Sequence, residues 1–280
     1  MPILEPLRRF TYSPVVAAGL RRLGLRKVLQ SAYARLRGNP SLVTLSLQGL
    51  DGHFASRTPQ ELRCIESTWY AEKELLSGVL ASLRAGEVFM DVGSNLGLFS
   101  VFAAKAVGLA GTVVAFEPES TAYNRLVENV RLNGLQNVRI LKLALSDRLG
   151  KKKLALGDPG AATQSAHLSE EDGPSEVVDS SDYDSLATDH SFPIPRVVKM
   201  DIEGHEFAAL NGMRATLSSP SCIALFCEVH PLDLPNGIKV QDMVALIESF
   251  GFESVRREDR GEQVHVMATK GQALLKRVES

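Results

Sequence analysis

The sequence predicts an α/β protein built on one mostly parallel sheet. Three observations predict it. From residue 87 onward, short apolar runs alternate with helical segments. Such alternation is the pattern of right-handed βαβ units, whose strands are covered on both faces. The runs Val88–Asp91, Val113–Glu117, Val197–Asp201 and Ile223–Glu228 each end in a carboxylate. The last two runs, Phe252–Val255 and Val264–Thr269, flank a charged, Gly261-containing segment, which reads as a closing antiparallel hairpin.

The elements follow in order. Residues 1–40 carry eight Lys/Arg against the single acid Glu5, with Val16, Leu20, Leu23 and Val28 at near-helical spacing. One or two basic amphipathic helices are expected there. Leu42–Leu47 and the turns at Gly49 and Asp51-Gly52 indicate short strands, so residues 1–60 form a basic extension and 61–280 the main domain. A helix is expected over Thr58–Leu83, broken near Gly78. The third apolar run spans Val138–Leu145, and helices are expected at Leu98–Val107, Ser120–Leu132, Glu206–Leu217 and Val240–Phe250. Residues 146–195 interrupt the alternation with Gly and Pro, and eight acids lie between Glu170 and Asp189 without a Lys or Arg. This reads as a loop-rich insertion with strands near Lys153–Leu156 and Glu176–Asp179, its acids solvated or part of a lid over the substrate.

Composition narrows the functional classes. The chain has 280 residues, 44% hydrophobic and 23% charged, with a formal net charge of -2. No global basic field points to nucleic acid. Cys64, Cys222 and Cys227 form no CxxC pair, which argues for a reducing, cytoplasmic compartment and against a cysteine metal site. No apolar stretch approaches the roughly 20 residues of a membrane span. Homo-oligomerisation is left open.

In open parallel sheets, ligands bind beyond the carboxyl ends of the strands. Here that rim collects Asp91, Glu117, Asp201 with Glu203, and Glu228 with His230, and the third run leads into Ser146-Asp147. Acids after strands also cap helices, but Pro118 separates Glu117 from the next helix. Several carboxylates would repel a phosphate; they suit a ligand with hydroxyls and positive charge. S-adenosylmethionine (SAM) offers a ribose diol, an ammonium and a sulfonium. The turn Asp91-Val92-Gly93-Ser94-Asn95-Leu96-Gly97 lets the backbone approach such a ligand and opens a helix whose free N–H groups suit its carboxylate. The dinucleotide pattern G-x-G-x-x-G is absent, because Asn95 occupies the second glycine position; this weighs against a nicotinamide-dependent oxidoreductase, the first alternative, and the intact rim acids weigh against the second, a non-catalytic SAM-fold binding protein.

With these residues in view, the sequence resembles the FkbM family of SAM-dependent methyltransferases from about Trp69 to Lys270. Three segments carry the resemblance: Val88-Phe89-Met90-Asp91-Val92-Gly93-Ser94-Asn95-Leu96-Gly97; Val114-Ala115-Phe116-Glu117-Pro118 with Leu126-Val127-Glu128-Asn129 and Leu132-Asn133-Gly134; and Val198-Lys199-Met200-Asp201-Ile202-Glu203-Gly204-His205-Glu206, the most specific. The resemblance implies a class I methyltransferase (Rossmann-like) fold, a seven-stranded sheet with a C-terminal antiparallel hairpin. It implies SAM at Asp91, Gly93, Asn95, Gly97 and Glu117, with Pro118 beside them, Ser146 near the adenine and Asp201 near the methyl donor. It further implies O-methylation of a hydroxyl on a small sugar or natural-product acceptor, which the basic extension suggests is anionic or glycosylated. Trp69, Glu72 and Glu74 precede the first strand, and Glu72 is placed with the cofactor set. An alcohol acceptor must lose a proton, so Asp201, His205, Glu228 and His230 are the catalytic candidates, with Glu203 beside them. A Mg²⁺ ion on Asp201, Glu203 and Glu228 is the less favoured alternative. His53, His167, His190 and His265 have no supporting context in the sequence.

Overall fold

The computed structural model describes residues 28–29, 41–156, 167–168, 173–189, 192–235, 237–261 and 263–271. Apart from residues 28–29, the expected basic helices of the first forty residues lie outside these, as does part of the 146–195 insertion.

The main sheet has seven strands: β3 (Val88–Val92), β4 (Thr112–Phe116), β5 (Val138–Leu141), β10 (Val197–Met200), β11 (Ala224–Val229), β12 (Ser254–Asp259) and β13 (Val264–Thr269). Their order is β12-β13-β11-β10-β3-β4-β5. β10 pairs in parallel with both β3 and β11, and β13 alone runs against its neighbours. The chain moves outward through β3, β4 and β5 and then returns to the other side of β3. Strand order therefore reverses between β3 and β10, and a crevice opens where their carboxyl ends diverge.

One face carries α1 (Pro59–Ala81), α2 (Leu98–Val107) and α3 (Ser120–Leu132). Its core includes Leu62, Trp69, Phe89, Phe102 and Leu126. The antiparallel hairpin of β1 (Ser41–Leu47) and β2 (Leu50–Ser56) adds Val43, Leu45 and Phe54 to the same core. The opposite face packs Met90, Met200, Leu225, Met243 and Ile247 under α5 (Glu206–Asn211), α6 (Arg214–Ser218) and α7 (Val240–Ser249).

Local chemistry explains the starts of these helices. Thr58 caps α1 by accepting the Glu61 N–H at 3.1 Å, while Glu61 reaches back to the Arg57 N–H at 2.6 Å. Glu119 caps α3 by accepting the Thr121 and Ala122 N–H groups, which leaves Glu117 clear of the helix. Asn129 and Asn133 bind the β2 edge: Asn129 accepts the Ala55 N–H at 2.9 Å and donates to Leu96 O at 2.8 Å, and Asn133 bonds both backbone groups of His53.

Four expectations need correction. α1 runs unbroken through Gly78, which is buried within it; tertiary packing outweighs the roughly 1 kcal/mol helix cost of glycine. The third run divides. β5 ends at Leu141, level with the end of β4, and Ala144–Leu145 becomes β6 of a second sheet ordered β6-β9-β7-β8, with β7 at Gly150–Ala155, β8 at His167–Leu168 and β9 at Ser175–Ser181. The expected helix Glu206–Leu217 breaks at Gly212, whose carbonyl accepts the N–H groups of Tyr183 and Asp184 at the start of α4 (Tyr183–Asp189). Finally, several acids of the 170–189 run are structural. Glu176 accepts from the Ser120 N–H and hydroxyl at the start of α3, and Asp184 accepts from Ala215 N, Thr216 N and Thr216 Oγ1 at the start of α6.

Candidate active site

A cavity of ≈ 400 Å³ opens at the carboxyl ends of β3, β4, β10 and β11. Of the residues singled out by sequence, Glu72, Gly93, Asn95, Glu117, Pro118, Asp201, Glu203, His205 and Glu228 line it. Asp91, Gly97, Ser146 and His230 lie behind its wall. Trp69 is core, stacked on Phe102 with centroids 5.8 Å apart, and Glu74 is exposed.

The β3 turn is held from within. The Gly93 and Ser94 N–H groups both donate to Phe116 O. Gly93 has φ +78°, and a Cβ there would lie 1.9 Å from Asp201 O, so no larger residue fits. Asp91 is fully buried: Oδ2 accepts the Ser100 hydroxyl at 2.5 Å, and Oδ1 lies 4.0 Å from Lys199 Nζ. Burial raises the Asp91 carboxyl above its usual range, against the pull of Lys199 and Ser100. Glu117 accepts the Asn95 N–H at 2.8 Å and the Glu119 N–H at 2.9 Å. A carboxylate accepts about four hydrogen bonds, so two sites remain for a ligand. Burial nevertheless pushes Glu117 up to about 7.

Lys199 stands in register with Asp91 and was not apparent from sequence. Its ammonium donates to Gly93 O at 3.2 Å and Asp201 Oδ2 at 3.4 Å and sits over the Phe99 ring. Burial opposes its charge, but Asp201, Asp91, Glu228 and Glu72 together hold it above the usual lysine range.

The far wall gathers five carboxylates and two histidines. The segment 201–206 turns sharply, with φ +53° at Glu203 and φ +94° at Gly204, where a Cβ would meet Asp233 at 2.5 Å. Glu203 is thereby aimed at His230: Nε2 lies 3.3 Å from Glu203 Oε2, 3.7 Å from Glu228 Oε1 and 3.8 Å from Asp201 Oδ1. His230 Nδ1 pairs with buried Glu206 at 3.0 Å. Glu206, not Glu228, therefore orients the ring. Burial lowers His230, but Glu206, Glu203 and Asp201 outweigh it and raise the imidazole to about 9. Burial, reinforced by nearby carboxylates, pushes Glu203 and Glu72 each to about 7. Glu228 is held below its usual range: burial opposes this, but His265, Lys199 and His230 prevail.

His205 stands apart from this group. Its Nε2 lies 3.0 Å from Ser146 Oγ, and burial, aided by Lys152, lowers it to about 4. Leu145 from β6, Leu154 from β7 and Leu168 from β8 line the same part of the cavity, so the second sheet forms its roof. Glu206, Gln263 and His265 were missed by sequence reasoning: the turn at Glu203 and Gly204 carries Glu206 to His230, and the pairing of β13 with β11 brings Gln263 and His265 to the rim.

A sheet of this order, with a glycine turn after its first strand and an acid closing its second, defines a class I SAM-dependent methyltransferase. The residues present fit SAM: acceptors at Glu117 for ribose hydroxyls, carboxylates for an ammonium, and the open N-terminus of α2 for a carboxylate. The chain belongs to the FkbM methyltransferase family: residues 91–254, more than half of it, match the methyltransferase FkbM domain. It is 28% identical over 225 residues to the hexuronic acid methyltransferase AglP of Haloferax volcanii, covering 76% of this chain and 86% of that one. It is also similar to solved SAM-dependent methyltransferases from Agrobacterium tumefaciens (12% identity, 84% of this chain and 72% of that one, TM-score 0.46) and Aquifex aeolicus (18%, 76% and 98%, TM-score 0.41). The protein is a methyltransferase that uses SAM, and the nicotinamide alternative falls. Among the described residues, no helix is long and apolar enough to cross a membrane.

Proposed function

We propose that this enzyme O-methylates a hydroxyl of a sugar or related polyhydroxylated small molecule. One observation carries the reading: Asp201, Glu203 and Glu228, with His230 behind them, cluster in the cavity wall beside the Gly93 turn. Hydroxyls need acceptors, and their oxygen becomes nucleophilic only as its proton leaves. The likeness to a hexuronic acid methyltransferase supports a sugar acceptor. The three buried, unpaired cysteines support a cytoplasmic setting.

SAM supplies a methyl carbon on a sulfonium, which leaves as a neutral thioether. On this reading the chain's residues do the rest. Glu117 takes the ribose hydroxyls, Asn95 and Pro118 line that side, and Gly97 opens α2 toward the amino-acid carboxylate. His205, neutral near pH 7, faces the adenine under the roof, and Ser146 supports its ring from behind. Asp201 and Glu72 face the positive end of the donor. The acceptor's proton passes to the Glu203–Glu228 carboxylates. His230, protonated near neutral pH, balances their charge, and Glu206 fixes its ring. Alignment of the acceptor oxygen with the methyl carbon provides the larger share of the rate.

Incubation with SAM labelled in the methyl group and a panel of hexuronates, neutral sugars and amines tests the proposal. Label should enter an ether on a sugar hydroxyl. Transfer to amines alone, with sugars inert, would overturn it.

A further inference from the structure

We propose that Glu72, Glu228 and His265 form a site for one divalent transition-metal cation in the cavity wall. Each contributes one ligand atom, and these atoms lie within 4.8 Å of one another. The three come from α1, β11 and β13, and Glu228 and His265 are cross-strand partners.

The state of the His265 ring carries the inference. The residue is 2% exposed, and its Nε2 has no hydrogen-bond partner among the described residues; the same holds for Glu72 Oε2. A buried nitrogen without a hydrogen bond is destabilising, so it calls for a partner. Glu228 Oε2 lies 3.1 Å from Nε2 as an ion-pair partner, but the contact does not meet hydrogen-bond geometry. Two ligands in cis positions at about 2.1 Å from one cation sit about 3.0 Å apart, and each points at the cation rather than at the other. The observed separation and misalignment match that geometry. His230, the other ring of the cluster, is satisfied: Glu206 holds Nδ1, and Glu203 and Gln263 approach Nε2 at 3.3 and 3.4 Å.

One imidazole with two carboxylates suits Mn²⁺, Co²⁺ or Zn²⁺ better than Mg²⁺, which prefers oxygen and water. Glu72 and Glu228 line the cavity, so the cation's open positions face it. Its role there, gripping an acceptor hydroxyl and lowering that hydroxyl's pKa, rests on the sugar reading above.

The test uses the full chain stripped by chelator and titrated with Mn²⁺ by electron paramagnetic resonance, with SAM binding measured in parallel by calorimetry. One Mn²⁺ per chain is expected. His265→Gln should weaken it at least tenfold while SAM still binds; Glu72→Gln, at a half-buried helical position, should weaken Mn²⁺ by a similar factor and guards against a folding defect in the other. Absence of Mn²⁺, Co²⁺ and Zn²⁺ binding in a chain that binds SAM would overturn the site, as would Mn²⁺ affinity unchanged in both variants. Metal binding without sugar methylation would overturn the acceptor reading alone.

Discussion

At the ends of β3 and β4, the acids are held by the fold itself. Both Glu117 oxygens accept backbone N–H groups, and Asp91 is bonded to Ser100. At the ends of β10, β11 and β13, the acids are held by one another's counter-charges, and buried atoms of Glu72, Glu206 and His265 have no hydrogen-bond partner among the described residues. At Glu117 the first wall is preorganised by main chain, whose geometry is set once the sheet forms; Asp91 rests on the Ser100 hydroxyl, and its Oδ1 has no hydrogen-bond partner among the described residues. The second is a side-chain network whose charge state depends on pH and on what enters. A wall of the first kind suits an invariant ligand, and one of the second kind suits chemistry and a changeable acceptor.

If the walls divide the work in this way, variants should separate turnover from donor affinity. The largest effect belongs to the second wall. Glu228→Gln removes a proton acceptor and should lower kcat by about 10²–10⁴, with the Kd for SAM changed less than threefold, in steady-state assays paired with calorimetry. A parallel loss of SAM affinity would show that the two walls are not separate. Next, Glu117→Ala removes two charge-assisted hydrogen bonds of about 1.5–3 kcal/mol each and should raise the Kd for SAM by roughly 10²–10⁴-fold.

A pH series sharpens the contrast. In the SAM-free protein Glu117 is pushed up to about 7, yet it accepts ribose hydroxyls best when ionised. SAM affinity should therefore fall about tenfold per unit as pH drops below 7, with one proton released on binding, measurable by calorimetry in buffers of different ionisation heat. Stability of the SAM-free fold should move the other way through this group. An acid raised above its unfolded value favours the fold at low pH, and that contribution is lost as pH rises through 7. Glu117→Ala should flatten both trends.

The smallest effect concerns the scaffold. Asn129→Ala leaves the Ala55 N–H and Leu96 carbonyl without their partner and should cost about 1–3 kcal/mol in chemical denaturation, with kcat nearly unchanged. A large drop in kcat would mean that the β1–β2 hairpin takes part in the reaction.

Much of this was legible before any coordinates. Strand–helix alternation, the turn at Gly93 and the acids closing four strands depend on neighbours within a few residues, so the sequence carries them directly. The misjudged boundaries share one cause. Gly78 looks like a helix breaker until its burial is known, and the run Val138–Leu145 looks continuous until β4 ends beside Leu141. Glu206–Leu217 keeps a helical period, but packing at Gly212 divides it.

The site divides along the same line. Asp91, Glu117, Asp201 and Glu228 were named because each closes a strand, a one-dimensional property. Lys199 faces Asp91 only through the β3–β10 register, Glu206 reaches His230 across 24 residues, and His265 meets Glu228 through an antiparallel pairing 37 positions along the chain. The linear sequence thus determined which groups the rim contains, because strand ends are locally encoded. Only the tertiary structure decided which of them touch and which stay unsatisfied, because pairing across a sheet is set by register and burial rather than by spacing along the chain.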